Sequence, residues 1–347
     1  DVDPGTSPAT LLGEQNKLPP RDISGDPPII VGGTDGSGTR AVVTLLSNLD
    51  VLMVKDDACT FDVHAGEMGG WPPVVRRALR YSHGADYSIE DIPDRDREYL
   101  RRSLRRFADK MIAEAKRFSL LKRHVRWGFK APISQMLLPF LYEIFPGMSF
   151  VHVLRDGRDI PFSKNQSPVD KFYFTMYKNN PSAQNLSPKL KAIKMWSDAN
   201  TQVNGYMNRV QVPKGSTYLA VKIEMSVEEE SLLQMGYVSN EKLELGFSKE
   251  DMCCRLRGYI RHLRKADFFQ GVKSRYGKWR KKTENDPNLR RDLNGYGQVG
   301  LDLFRYNEEP NPPLYEVPSF RVCDGVEERE TCEFDFPSKC IESPNIR

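Results

Sequence analysis

Short apolar runs alternate with stretches of helical period along most of the chain. Pro28-Ile-Ile-Val31 is an apolar run that meets a glycine cluster, and it predicts a buried strand. Beyond the cluster, Ala41, Val42, Leu45, Leu46 and Leu49 recur at helical spacing. Leu100, Leu104, Phe107, Met111, Ala115, Phe118 and Leu121 form one stripe with basic residues opposite, which predicts a helix over 97–123. Strands are predicted at 125–130 and 149–154, the second with Val151 and Val153 alternating against His152. An apolar helix over 133–145 is predicted to kink or break at Pro139. Helices at 190–209, 227–235 and 249–263 and a strand at 217–223 complete the pattern. No internal repeat interrupts it. Strands alternating with helices predict an α/β fold of three layers, a central mostly parallel sheet with helices on both faces.

The ends of the chain lack this pattern. Residues 1–27, rich in Pro, Gly and Asp, read as a flexible N-terminal segment, and 307–347 as an acidic, Pro-rich, Cys-containing tail. A single domain is expected over 28–306. No run of 18 or more apolar residues occurs, so no membrane span is expected within these residues. The first residue is Asp1, which fits removal of a signal peptide or of a single-span anchor.

Net charge is +4 but uneven: residues 95–130 hold 13 Lys/Arg against 4 Asp/Glu, and 261–291 hold 11 against 3. The tail from 307 holds 4 against 10. A basic body suits anionic ligands, though solvated helix faces give the same composition. Of the six cysteines, Cys253 and Cys254 are adjacent and unsuited to bonding each other, while Cys323, Cys332 and Cys340 lack zinc-finger spacing. Disulfides in that tail would imply an oxidising compartment. The sequons at Asn165 and Asn185 add little, because each is followed by proline.

Candidate chemistry sits at two strand ends. Gly33-Thr-Asp-Gly-Ser-Gly-Thr-Arg40 follows the first strand and opens the first helix, where amides, glycines and hydroxyls can converge on a phosphate. It nearly matches the phosphate loop of nucleotide kinases, but Thr39 and Arg40 stand where a kinase needs Lys and Ser/Thr. Arg155 follows the strand 149–154 directly, and Ser163 comes eight residues later. A guanidinium fork and a hydroxyl suit a second phosphate. Asp156 and Asp159 are expected to orient the arginines or cap a helix.

The ordered pair resembles the nucleotide-binding motifs of the sulfotransferases, which use 3′-phosphoadenosine 5′-phosphosulfate. The resemblance covers about residues 28–280 and implies a P-loop-type fold with the donor at the carboxyl ends of the strands. It implies that Gly33, Thr34, Asp35, Gly36, Ser37, Gly38, Thr39 and Arg40 cradle the 5′ end. It gives the 3′-phosphate to Arg155 and Ser163. Ser274-Arg-Tyr-Gly-Lys-Trp-Arg280 resembles the family's late covering segment, with Arg275 and Lys278 reaching the phosphate and Tyr276 or Trp279 packing on the donor. The family's usual lysine before Ser-Gly-Thr is Gly36 here, so Lys130, in a segment resembling the family's internal lysine-bearing strand end, is the expected cation and Arg40 the second candidate. For the base, Asp57, Asp62 and His64 remain open. The implied activity is metal-free transfer of a sulfuryl group to an acceptor hydroxyl, on a carbohydrate and with an anionic glycan suggested, leaving adenosine 3′,5′-bisphosphate. No nucleic acid is implied. The expected location is the secretory pathway, in the Golgi lumen, with the cytoplasm as the alternative. A nucleotide or small-molecule kinase and a catalytically inactive nucleotide-binding module are the rival readings.

Overall fold

The computed structural model describes residues 20–34, 36–54, 71–81, 90–163, 165–209, 216–265, 276–308, 312–316 and 321–326. The chain opens with β1 (Ile29–Gly32), α1 (Thr39–Asn48) and β2 (Val51–Val54), followed by α2 (Trp71–Leu79) and α3 (Asp94–Ser119). Next come β3 (Arg126–Lys130), a 3-10 segment (Pro132–Leu137), α4 (Leu138–Ile144) and β4 (Ser149–Leu154). A second 3-10 segment (Gly157–Phe162) leads to α5 (Ser167–Met176), a single turn α6 (Pro181–Gln184) and α7 (Pro188–Arg209). β5 (Thr217–Lys222), a 3-10 segment (Ile223–Val227), α8 (Glu229–Lys242), α9 (Lys249–Lys265), α10 (Lys278–Lys282) and α11 (Pro287–Leu303) follow.

The five strands form one parallel sheet in the order β2-β3-β1-β4-β5. Residues alternate between its faces. Ile29 and Val31 pack with α1, α8 and α9, whereas Ile30, Phe129 and Phe150 pack with α2, α3, α4, α5 and α7. Both faces are thereby covered, which is why the strands carry apolar runs. The helix predicted at 133–145 is split: the 3-10 turn gives way to α-helix at Leu138, and Pro139 falls in the first turn, where its missing N–H costs nothing.

Three expectations change. The long helix runs 94–119 rather than 97–123, started after Pro93 and stabilised by Asp94 and Asp96 at its positive end, so Leu121 lies beyond it and is 73% exposed. The lead-in is packed from Ile23, which is fully buried, and Trp127 Nε1 donates to the Asp26 carbonyl at 2.6 Å. Within the tail, Cys323 is bonded to Cys253 of α9, and the Arg257 guanidinium donates to the carbonyls of Cys323 and Val326 at 2.8 and 2.7 Å. Cys254 is also disulfide-bonded.

Candidate active site

The strand order sets the location. From β1 the chain turns through α1 toward the β2 edge, while from β4 it proceeds to β5 on the other side. Neighbouring strands whose connections diverge leave a crevice outside their carboxyl ends. The loop after β1 is the predicted cradle, and the loop after β4 carries Arg155. Both motifs therefore open into the same crevice.

Local bonds shape the cradle. Gly33 N donates to the Pro132 carbonyl at 2.9 Å, tying the loop to the end of β3. Ser37 is fully buried and donates both its amide, at 3.0 Å, and its hydroxyl, at 2.6 Å, to the Thr34 carbonyl. Its hydroxyl therefore braces the loop instead of adding a donor to an anion. Gly38 caps α1 with φ +87°, a left-handed conformation that lets the chain turn straight into the helix. The first turn of α1 holds no acidic residue, and its leading amides face outward along the axis with the positive end of the dipole. Thr34 is buried, and its hydroxyl has no hydrogen-bond partner among the described residues. Thr39 is buried and Arg40 half-buried in the first helical turn.

The second motif comes up against the first. Arg155 Nη1 donates to the Gly36 carbonyl at 3.1 Å. A Cβ added to Gly36 would stand 3.3 Å from Ser163 Oγ. Arg155 Nη2 reaches Asp159 Oδ2 at 3.4 Å, and its guanidinium lies 5.2 Å from the Tyr276 ring. Asp159 also accepts from the amides of Gly277 at 2.8 Å and Trp279 at 3.0 Å, so it caps α10 while holding Arg155. Burial holds the Asp159 carboxyl above its ordinary value, with Arg155 and the two amides opposing the rise. Asp156 accepts the Arg158 amide and clasps the Arg158 guanidinium, which stacks 4.2 Å over Trp279. Trp279 donates Nε1 to Asp156 at 3.2 Å and is buried there. It is thus committed to Arg158, leaving Tyr276 as the aromatic beside Arg155. Lys278 is exposed at the start of α10.

Lys130 ends β3 opposite Val31, at the carboxyl edge of the sheet, and is only 2% exposed. Asp35, Asp57, Asp62, His64 and Arg275 lie outside the described residues. His152, inside β4, is fully buried between Tyr218 OH at 2.9 Å and Asn200 Oδ1 at 2.8 Å. Desolvation lowers its pKa to about 4, so it is a neutral core group.

Sequence reasoning missed Glu224. It follows β5 at the same edge of the sheet, where Oε1 accepts from the Asp156 amide at 2.8 Å and Oε2 from Tyr306 OH at 3.2 Å. Burial pushes its pKa to about 7, with the Asp156 amide opposing the rise. Beside it Lys222, fully buried, donates to the Pro312 carbonyl at 2.7 Å and sits 4.5 Å from the Tyr306 ring. A Glu directly after a strand was the available signal, but its partners come from residues 68 and 82 positions away.

No family model matches the chain, and no curated protein does. Among solved structures it is similar to the sulfotransferase domain from the curacin biosynthetic pathway, at 11% identity and a TM-score of 0.38, over 67% of this chain and 76% of that one. It is also similar to sulfotransferase STF9 from Mycobacterium avium, at 12% identity and a TM-score of 0.38, over 73% and 72%.

Proposed function

We propose that this chain is a sulfotransferase that moves a sulfuryl group from 3′-phosphoadenosine 5′-phosphosulfate to an acceptor hydroxyl on a carbohydrate. One observation carries the reading: the Gly36–Thr39 loop and the Arg155–Ser163 segment meet beyond the carboxyl ends of β1 and β4, where Arg155 Nη1 donates to the Gly36 carbonyl at 3.1 Å. Two anion sites side by side suit a nucleotide with a phosphate at each end of its ribose. The residues present fit such a ligand. The loop wraps without side chains at Gly36 and Gly38, its helix start lacks acidic residues, and the Thr34 hydroxyl is unsatisfied among the described residues.

In this reading the bound donor supplies the sulfuryl group, and the protein supplies position and charge. Amides of Gly36, Gly38 and Thr39 hold oxygens at the 5′ end, with Gly33, Thr34, Asp35, Ser37 and Arg40 forming the rest of the cradle. Arg155 and Ser163 hold the 3′-phosphate, covered by Arg275, Tyr276 and Lys278. Lys130 is the cation assigned to the leaving oxygen. One of Asp57, Asp62 and His64 takes the acceptor proton. The Cys253–Cys323 disulfide supports placing the protein in an oxidising secretory compartment, the Golgi lumen in this reading.

Thermal unfolding with adenosine 3′,5′-bisphosphate, ATP–Mg²⁺ and GTP–Mg²⁺ tests the donor. The bisphosphate at about 100 times its Kd should add roughly 2.7 kcal/mol. Ser163→Ala and Arg155→Lys should each weaken it by about tenfold or more. Stabilisation by ATP–Mg²⁺ alone would favour the kinase reading. The glycine at the family's lysine position favours a second reading, a binding module without turnover. Bisphosphate binding with no sulfuryl transfer to any glycan, and a Lys130→Ala variant altered only in affinity, would establish it.

A further inference from the structure

Away from the cradle, a cavity of about 280 Å³ is lined by Pro73, Arg76, Arg77, Arg80, Tyr99 and Thr175. Three guanidinium groups within five positions of one helix end are mutually repulsive, Arg76 and Arg80 most directly because positions four apart share a face. Arg77 is half-buried and fixed: it stacks 4.1 Å over the Tyr99 ring and donates to Asp96 Oδ1 at 3.3 Å. Tyr81 OH takes the other Asp96 oxygen at 2.8 Å, so that carboxylate is already satisfied. Arg76 and Arg80 are exposed and make no ion pair among the described residues; Arg76 Nε has only the Pro72 carbonyl, at 3.4 Å. Lys178 adds a further cation, 5.9 Å from the Tyr81 ring. On α3, Arg101, Arg102 and Arg117 are paired with Glu143, Glu98 and Glu114, while the exposed Arg105 and Arg106 line no cavity with Arg76 and Arg80.

The cavity's elements come from the crevice side of the sheet. α2 lies between β2 and α3, and it packs against the 3-10 segment that follows Lys130 and against α5. α5 starts four residues after Ser163, and from Ser167 to Thr175 it rises about 12 Å. The volume is just below the roughly 300–1,000 Å³ typical of ligand pockets. It suits one acidic sugar unit, with an oligosaccharide spanning the distance to the cradle.

We infer that this arginine cavity binds a sulfate or carboxylate group of an anionic oligosaccharide acceptor. The acceptor role rests on the sulfotransferase reading, whereas the anion site stands on the cavity itself. Calorimetric titration of the full chain with a heparin-derived hexasaccharide tests it, beside a neutral hexasaccharide and oligothymidylate. The sulfated sugar should bind, and Arg76→Gln with Arg80→Gln should weaken it by about tenfold or more per arginine. Arg105→Gln with Arg106→Gln, on the exposed face of α3, should not, and neither pair should alter binding of adenosine 3′,5′-bisphosphate. Equal losses in the two pairs, equal binding of oligothymidylate or the neutral sugar, or no binding of the sulfated sugar would each overturn the inference. If the sulfated sugar binds through Arg76 and Arg80 while the bisphosphate does not bind at all, the cavity is supported and the donor reading falls.

Discussion

Gly38 carries the strictest local demand in the cradle. Its φ of +87° costs a residue with a side chain about 1–2 kcal/mol, and a Cβ there would stand 2.4 Å from Ile223 Cγ1. Overpacking of that kind adds about 1–3 kcal/mol. Gly38→Ala should therefore lower the free energy of urea unfolding by roughly 2–5 kcal/mol and reduce bisphosphate affinity with it. Glu224 makes a different demand. Its folded pKa of about 7 lies above the ordinary 4.5, so the folded state holds a proton that the unfolded chain gives up. That contribution to stability is complete below pH 4.5 and is lost as pH rises through about 7. Glu224→Gln, which keeps an oxygen for the Asp156 amide, should flatten the pH dependence of the unfolding midpoint across this window. An unchanged slope would mean the carboxyl titrates normally. The cradle residues were legible because their chemistry is local: a strand, glycines, then a helix start. His152 was not, since alternation along β4 gives no hint that Tyr218 and Asn200 enclose it.

At the level of elements, periodicity located β1, β3, β4, β5, α1, α3, α4, α7, α8 and α9 but not α2, α5 or α11. α11 shows why. Its Gly295, Gly297 and Gly300 lower helix propensity, by about 1 kcal/mol each relative to alanine, and erase the pattern. Two of these glycines are there for contact with α7: a Cβ on Gly297 would meet Ile193 Cδ1 at 2.7 Å, and one on Gly300 would meet Trp196 Cζ3 at 2.8 Å. Propensity is given up for close helix approach, a tertiary reason invisible in a single segment. Gly300→Val should separate the two helices and destabilise the protein by about 1–3 kcal/mol in chemical denaturation. α2 was hidden by Pro72 and Pro73, which sit in its first turn, where proline is tolerated. β2 has four residues and follows α1 after only two, too short a run to signal a strand.

Across the whole molecule, the predicted limits of the domain at 28 and 306 followed composition, and packing extends past both. Ile23 and Val322 are buried, packed in clusters with residues far away in sequence that leave no local pattern. The Cys253–Cys323 bond spans 70 positions, and closing a loop of that length stabilises by about 4 kcal/mol in the chain-entropy account. Replacing both cysteines with serine should lower the unfolding free energy by about that amount without reductant and abolish part of the wild type's sensitivity to reductant. Asp159 is a second long-range tie, joining Arg155 to amides 118 and 120 positions further along. An arginine already held by the Gly36 carbonyl and Asp159 surrenders little conformational freedom on capture, so calorimetry of bisphosphate binding should show a small entropic penalty. Asp159→Asn, similar in shape but uncharged, should enlarge that penalty while leaving the sheet intact. Preorganisation at the far end of the crevice would then be the work of one buried carboxylate.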